Sequence, residues 1–344
     1  MRVEKLVLNE ERNVTLTAYL QEVGGEFRYV TRRPAILVLP GGGYQMCSDR
    51  EADPVAMPYL KAGYQVFILR YSIKADAVWP NPLNDYEQAM ELIQSKAKDW
   101  SLYPDKVAII GFSAGGHLAA CAATMAKNRP AAAILGYAVA GEDVKGCNTS
   151  APSAIEAVDQ DTCPCFLFAT RTDNVVPIAN TVDFMQALIK YDISFESHIY
   201  AYGPHGFSTC DTSVQYKDTE ICVRVPDWVE DSIGWLKDVL GEFGMDGMTE
   251  PVCKAHVTSD HEAFMSVDCT IGRLMGNPEA KAVLMPILER GTSMGAGQDQ
   301  EGFTSGNMFE MVKKMKLRDA LSYGNVPEDV MNRLNEQLGK IPNI

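Results

Sequence analysis

The sequence predicts a doubly wound α/β fold with a mostly parallel sheet, followed by a small helical appendage at the C-terminus. Over roughly the first 240 residues, apolar β-branched runs alternate with longer segments of helical periodicity, which is typical of parallel strands joined by crossover helices. Beyond that region the β-branched runs stop, and methionine, glycine and short amphipathic patterns become frequent. We therefore expect a large domain over residues 1–243 and a small helical domain over residues 244–344.

The individual elements follow from the same patterns. Alternation of polar and apolar residues predicts antiparallel strands at Val3–Leu8, Val14–Leu20 and Phe27–Thr31. Apolar runs predict the other strands at Ala35–Leu39, Gln65–Tyr71, Lys106–Ile110, Ala132–Val139, Cys165–Thr170 and Ser194–Tyr200. Helical periodicity predicts crossover helices at Asn84–Lys98, Ala114–Lys127, Ile178–Tyr191 and Asp227–Phe243. In the tail, helices are predicted at Thr270–Met275, Pro278–Glu289, Asn307–Met315, Leu317–Ser322 and Pro327–Leu338, with a long loop over Gly291–Gly306.

The predicted strand Lys106–Ile110 leads directly into Gly111-Phe-Ser-Ala-Gly115, and small residues with helical periodicity follow. A strand, a G-x-S-x-G turn and a helix in this order form the pattern of a nucleophile elbow. The turn strains the backbone of the serine, so the residues two positions away on either side must lack a Cβ that would clash. The hydroxyl then stands at a helix N-terminus, where free N–H groups face a developing negative charge. We therefore predict Ser113 as a nucleophile.

A serine hydroxyl is a poor nucleophile at neutral pH and needs a base that a carboxylate orients. His205 lies in the glycine-flanked loop Tyr202-Gly-Pro-His-Gly-Phe207, directly after a predicted strand, and we predict it as the base. Asp173 follows the predicted strand Cys165–Thr170 at the end where a carboxylate can reach a neighbouring loop, and we predict it as the acid. Ser113, Asp173 and His205 follow one another along the chain in the order that is typical of proteins with a G-x-S-x-G elbow.

The other histidines and nearby carboxylates are expected to have structural roles. His198 lies inside a predicted strand, and His117 lies one helical turn after the predicted nucleophile. Asp159 and Asp161 precede the strand that Asp173 follows, so they would lie at its far end in a solvated loop.

Three consecutive glycines follow the predicted strand Ala35–Leu39 and Pro40. Bare backbone at Gly42 and Gly43 lets N–H groups approach a substrate oxygen closely. A phosphate-binding loop would need Lys and Ser or Thr after the glycines, whereas Tyr44-Gln-Met follows here. We therefore predict an oxyanion hole made by the N–H of Gly42 or Gly43 together with that of Ala114.

Composition excludes several other classes of function. The formal net charge of −14 argues against nucleic acid or an anionic membrane as a partner, and no apolar run is long enough for a transmembrane helix. Charged residues at the N-terminus do not fit a secretion signal. The nine cysteines are scattered, and Cys163-Pro-Cys165 lacks zinc-site spacing, so we expect reduced thiols, a cytoplasmic location, and neither metal nor cofactor.

These motifs together resemble the α/β-hydrolase superfamily over residues 30–240, and within it the small acetylesterases and acetyl-xylan-esterase-like carbohydrate esterases. The segments that carry the resemblance are Leu39-Pro-Gly-Gly-Gly-Tyr44, Leu69-Arg-Tyr71, Pro82-Leu-Asn-Asp85, Gly111–Leu118, Asp173–Pro177 and Pro204-His-Gly-Phe207. Pro40 stands where many lipase-like relatives carry His, which disfavours a lipase. The resemblance implies hydrolysis of short acyl esters, such as O-acetyl groups on xylan-derived saccharides, through a Ser113–His205–Asp173 triad.

Two alternatives to this esterase remain open in the sequence. One is amide or formamide hydrolysis of the arylformamidase type, because the same triad serves both reactions. The other is a hydrolase-fold protein that only binds a ligand or partner. Tyr44, Phe112 and Phe207 are expected to border a small acyl pocket because they adjoin the glycines, Ser113 and His205 along the chain. The tail is expected to dock on the large domain or to mediate homo-oligomer formation.

Overall fold

The computed structural model describes residues 1–295, 310 and 312–343, and its first eight strands form one sheet. These strands are β1 (Arg2–Asn9), β2 (Val14–Leu20), β3 (Arg33–Leu39), β4 (Gln65–Arg70), β5 (Leu102–Phe112), β6 (Ala132–Gly136), β7 (Cys165–Thr170) and β8 (Phe195–Tyr200). Their order in the sheet is β1-β2-β4-β3-β5-β6-β7-β8. β2 pairs antiparallel with β1 and β4, and all other neighbours are parallel. The predicted fold class is therefore confirmed.

Helices cover both faces of this sheet. They are α1 (Asp53–Lys61), α2 (Asn81–Ser95), α3 (Ser113–Met125), α4 (Ala179–Lys190) and α5 (Trp228–Leu240). Successive side chains of a strand point to opposite faces, and in β3 Leu37 and Leu39 join the core beneath α2, α3 and α4. Ile36 and Val38 of the same strand join the core beneath α1 and α5. Burial on both faces explains why these strands are continuous apolar runs in the sequence.

Two local predictions differ from the structure. The predicted strand Phe27–Thr31 is a pair of turns, in which the N–H of Phe27 donates to the Gly24 carbonyl and the N–H of Val30 donates to the Phe27 carbonyl. Helix α1 was not expected, because Pro54 and Pro58 interrupt its pattern. Pro54 lies in the first turn, where its missing N–H costs no helical hydrogen bond.

The chain divides into two compact units at Ala255/His256, later than the predicted boundary at 243/244. The segment between the two positions forms a small hairpin of β9 (Phe243–Gly244) and β10 (Gly247–Met248). It continues with hydrogen bonds from the N–H groups of Val252 and Cys253 to the Asp238 carbonyl, and from the N–H of Ser194 to the Ala255 carbonyl. These bonds join residues 243–255 to α5 and to the start of β8, so the segment belongs to the first unit.

The second unit, residues 256–344, has its own apolar core. Its helices in the described residues include α6 (Ile271–Gly276), α7 (Pro278–Gly295), α8 (Leu317–Tyr323) and α9 (Glu328–Leu338). The core contains Leu274, Leu284, Leu321 and Leu338, and the Asp268–Arg318 ion pair (2.6 Å) joins the segment before α6 to α8. Helix α7 extends to Gly295, so the first five residues of the predicted loop 291–306 are helical. The rest of that loop, and residues 307–309 and 311 of the predicted helix 307–315, lie outside the described residues. No helix in the described part of the chain is both long and apolar enough to cross a bilayer.

Candidate active site

The turn between β5 and α3 has the steric properties that the sequence predicted for a nucleophile elbow. β5 ends at Phe112, α3 begins at Ser113, and Ser113 has a φ of 53°, in the left-handed region that non-glycine residues rarely adopt. A Cβ on Gly111 would overlap the backbone of Gly115, and a Cβ on Gly115 would overlap the carbonyl oxygens of Leu39 and Pro40. Both glycines are therefore required for this close approach of helix, strand and glycine loop.

The structure brings Ser113, His205 and Asp173 together. The Nε2 atom of His205 lies 2.8 Å from Ser113 Oγ, and its Nδ1 atom lies 2.7 Å from Asp173 Oδ2. His205 and Asp173 come from the loops that follow β8 and β7, at the C-terminal edge of the sheet where Ser113 also lies. This shared edge is the reason why three residues far apart in the sequence meet.

Hydrogen bonds around Asp173 fix its orientation and imply where the protons lie. Its Oδ1 accepts the N–H groups of Val175 and Val176, both at 2.9 Å, and its side chain is only 1% exposed. Because a carboxylate accepts hydrogen bonds, Nδ1 of His205 carries the proton that points to Asp173. The lone pair of Nε2 then faces the Ser113 hydroxyl, which is the arrangement needed to take its proton.

The glycine loop lies against the nucleophile. A Cβ on Gly41 would be 3.0 Å from Ser113 Cβ and 2.5 Å from the Phe112 carbonyl oxygen. The Gly41 N–H donates to Glu51 Oε2 at 2.8 Å. Within the described residues, the N–H groups of Gly42, Gly43 and Ala114 have no intramolecular hydrogen-bond partner, and Ala114 lies in the first turn of α3, where N–H groups lack helical acceptors. These three groups are therefore the candidate donors for a substrate oxygen.

Glu51 and Tyr137 belong to this site although sequence reasoning missed them. Glu51 Oε1 accepts a hydrogen bond from the Tyr137 hydroxyl at 2.6 Å, and the Tyr137 ring meets the His205 ring edge-on with centroids 5.0 Å apart. Tyr137 directly follows β6 and so lies at the same sheet edge, but the predicted strand extended to Val139 and placed Tyr137 inside it. Glu51 had no signal in the sequence, because Asp-Arg-Glu has the composition of a solvated turn.

The expectation that Tyr44, Phe112 and Phe207 border an acyl pocket does not fit the structure. All three side chains are 0% exposed and pack in the core. Phe112 contacts Trp228 of α5 beneath the sheet, and Phe207 packs on Tyr137 with centroids 4.6 Å apart. Adjacency along the chain is misleading here, because each ring points away from the neighbouring backbone that faces the site.

Tyr44 instead binds His117, which is buried in α3 as expected for a structural histidine. The hydroxyl of Tyr44 lies 2.7 Å from His117 Nδ1, and His117 Nε2 lies 2.8 Å from the Pro152 carbonyl oxygen. The carbonyl can only accept, so Nε2 carries the proton and Nδ1 accepts from Tyr44. Burial lowers the pKa of His117 from 6.5 to about 4, because the charged imidazolium loses its hydration.

The remaining predicted structural residues lie away from Ser113. His198 of β8 contacts Glu196 at 2.8 Å and stacks on Phe166, while Asp159 pairs with Arg129 at 2.5 Å. All nine cysteines are free thiols. In the part of the chain that the structure describes, no three His, Cys, Asp or Glu side chains are grouped as metal ligands would be.

Comparison with known proteins places this geometry in a family. The BD-FAE family model matches residues 28–135, which contain the glycine loop and the elbow. The solved structure of an α/β hydrolase enzyme from a Medee basin deep-sea metagenome library is 43% identical, with a TM-score of 0.66, and the match covers 70% of this chain and 98% of that one. The chain therefore belongs to the α/β-hydrolase family.

Two further relatives are named for their action on acetyl esters of carbohydrates. An acetylxylan esterase of Xylanibacter ruminicola is 28% identical over 60% of this chain and 45% of that protein. The structure of an acetyl ester-xyloside bifunctional hydrolase from Caldicellulosiruptor lactoaceticus is 25% identical, with a TM-score of 0.59, over 68% of this chain and 95% of that one. The chain spans less than half the length of the first curated relatives that it matches. The predicted family resemblance is confirmed.

Proposed function

We propose that this protein is a serine esterase that hydrolyses short acyl esters, with O-acetyl groups on xylan-derived saccharides as its substrate class. The observation that carries the proposal is the pair of hydrogen bonds that join Ser113 to His205 and His205 to Asp173, at 2.8 and 2.7 Å. Relatives described as an acetylxylan esterase and as an acetyl ester-xyloside hydrolase support the acetylated saccharide.

The reaction would begin with proton transfer from the Ser113 hydroxyl to Nε2 of His205 as Oγ attacks the ester carbonyl carbon. The C=O bond opens to an oxyanion, which the N–H groups of Ala114 and of Gly42 or Gly43 would receive. Asp173 would stabilise the imidazolium that forms, because its buried carboxylate accepts the Nδ1 proton. The proton then passes from Nε2 to the departing alcohol oxygen, and the acyl group remains on Ser113.

Water completes the cycle by the same groups in reverse. His205 would take one proton from water as the water oxygen attacks the acyl carbon, and the N–H groups of the oxyanion hole would receive a second oxyanion. The proton then passes from His205 to Ser113 Oγ as the carboxylic acid leaves, and the acid loses its remaining proton to the solvent. The proton that Ser113 loses to the alcohol is replaced by one from water, so the enzyme is regenerated and water is the only co-reactant.

A substrate panel tests the proposal. The panel consists of p-nitrophenyl acetate, butyrate and octanoate, acetylated xylo-oligosaccharides, and N-formylkynurenine. We expect kcat/KM to fall steeply from acetyl to butyryl and to be negligible for octanoyl, and we expect acetate release from the oligosaccharides. Equal or better activity on octanoate would indicate a general carboxylesterase, while preferred cleavage of N-formylkynurenine would identify the amide-type alternative.

A further inference from the structure

We propose that Glu51 is a positioning residue. Its carboxylate connects the glycine loop to Tyr137, which packs against His205, so that the oxyanion donors and the base keep fixed positions relative to each other. This inference rests on the proposed function, because it assigns a role within the same site. It concerns a carboxylate that does not itself face the nucleophile's hydroxyl.

The contacts of Glu51 are those of a buried anchor. The residue ends the short 3-10 turn Asp49–Glu51, yet its side chain points inward and is 5% exposed. One carboxyl oxygen accepts the Gly41 N–H at 2.8 Å, and the other accepts the Tyr137 hydroxyl at 2.6 Å. Both oxygens act as acceptors, which suits the ionised form. Burial raises the pKa of Glu51, and the hydrogen bonds from Tyr137 and Gly41 oppose that rise.

The first bond determines which N–H groups of the glycine loop are available. With its N–H donated to Glu51, Gly41 holds one orientation of its peptide plane, and the N–H groups of Gly42 and Gly43 that follow remain unbound within the described residues. A Cβ on Gly41 would lie 2.8 Å from Glu51 Oε2 and 3.0 Å from Ser113 Cβ. The carboxylate, the loop and the nucleophile therefore meet with no space for another group between them.

The second bond extends the anchor to the base. The Tyr137 oxygen that donates to Glu51 also accepts the N–H of Ser208 at 3.1 Å, and the Tyr137 ring supports His205 edge-on. Tyr137 has a φ of 34°, a rare conformation that persists only where surrounding contacts hold it. Through Tyr137, Glu51 is therefore connected both to the His205 ring and to the backbone of the loop that carries His205.

The neighbouring residue Arg50 strengthens the same connection from outside. Its guanidinium donates to the carbonyl oxygens of Gly206 (2.9 Å) and Val214 (2.7 Å), and its own carbonyl accepts the Ser208 hydroxyl at 2.5 Å. A single three-residue turn thus binds the two loops that carry the oxyanion donors and the base. Within this turn, the Glu51 carboxylate is the group that binds Gly41, so the test is made by substitution of Glu51.

Three variants separate positioning from simple destabilisation. Glu51→Ala removes both bonds, and Tyr137→Phe removes only the hydroxyl while leaving the ring under His205. The matched control is Gln65→Leu, because Gln65 is 0% exposed and its side chain makes hydrogen bonds with backbone groups of Gln21 and Trp100. Gln65 begins β4, at the edge of the sheet opposite to Ser113, so its loss weakens the fold without touching the site.

The primary measurement is the second-order rate at which a fluorophosphonate probe labels Ser113, taken well below the unfolding temperature of each variant. The kcat and KM for p-nitrophenyl acetate are measured beside it. We expect Glu51→Ala to label about 100-fold more slowly and to lose kcat with little change in KM, since misplacement of a catalytic group by about 1 Å costs on that order. Tyr137→Phe should show a smaller loss in both rates, and Gln65→Leu should lower the unfolding temperature but label at the wild-type rate.

Two results would overturn the inference. One is a wild-type labelling rate in Glu51→Ala, or in Tyr137→Phe if Glu51→Ala does not fold. The other is an equal loss in Gln65→Leu, which would mean that any destabilisation slows labelling. If the wild type labels at Ser113 but releases no acetate from acetyl esters, the proposed function fails while the labelling rates still decide the role of Glu51.

Discussion

Acidification should destabilise the first unit through His117. The unfolded chain carries His117 with its ordinary pKa of 6.5, whereas burial lowers the pKa in the folded protein to about 4. The folded state disfavours protonation of His117. The contribution of neutral His117 to the free energy of unfolding is therefore complete above pH 6.5 and is lost as the pH falls towards 4. At pH 5 the unfolded imidazole is almost fully protonated and the folded one mostly neutral. Linkage then gives a loss of about 2 kcal/mol relative to pH 8.

The structure explains this preference for the neutral form. His117 is 0% exposed, its Nε2 proton is donated to the Pro152 carbonyl, and its Nδ1 lone pair accepts the Tyr44 hydroxyl. A second proton on Nδ1 would oppose the Tyr44 proton and would place a charge in the core, where no carboxylate of the described residues forms an ion pair with His117. Lys145 adds a like charge that also lowers the pKa.

Urea unfolding at pH 8 and pH 5, followed by tryptophan fluorescence, measures the effect. All four tryptophans lie in residues 1–255, so the signal reports on the unit that contains His117. His117→Gln should lose about 2 kcal/mol less than the wild type between the two pH values, although the variant is weaker at pH 8 because it disturbs two hydrogen bonds. Gln65→Leu, which changes no titrating group, should keep the wild-type loss. The reasoning is refuted if wild type and His117→Gln lose equal stability on acidification.

Other substitutions test the candidate site directly. Ser113→Ala should lower kcat on p-nitrophenyl acetate by on the order of 10⁴-fold or more with an unchanged circular-dichroism melting curve, because it removes one hydroxyl; retained turnover would contradict the mechanism. Asp173→Asn should cost less than Ser113→Ala, since it disturbs the base and leaves the nucleophile, whereas the exposed Asp161→Asn should stay near wild type in kcat; the reverse order would show that the acid is misassigned. Gly115→Ala should lose about 3 kcal/mol or more in urea unfolding, because the new Cβ meets two backbone carbonyls; wild-type stability would show that the turn can relax.

The sequence was sufficient to predict which residues meet at the sheet edge but not what supports them. Ser113, Asp173 and His205 each lie in the segment that follows the C-terminal end of a parallel strand, so their convergence follows from the topology of the sheet. Glu51 reaches the site through side-chain contacts with Gly41 and Tyr137, which are distant in sequence, and no local pattern records such contacts.

The aromatic rings that were expected at an acyl pocket, and that lie in the core instead, show a second limit of prediction from sequence. Phe112 continues the alternation of Ala108 and Ile110, all of which face the core beneath α1 and α5, so strict period-2 reading would have placed its ring inside. Adjacency to Ser113 along the chain is therefore a weaker guide to the direction of this ring than the strand alternation. Between the two residues the chain changes from strand to helix, and this change reverses the direction of the side chain.

The open sheet also has consequences for how copies of the chain meet. Among the strands that the structure describes, β1 and β8 have a neighbour on one side only, which is the situation in which a second molecule can add a strand. β1 carries Arg2, Glu4 and Lys5, and β8 carries Glu196 and His198. Charged side chains on an edge strand are one of the devices by which proteins hinder edge-to-edge pairing, and both edges of this sheet carry them.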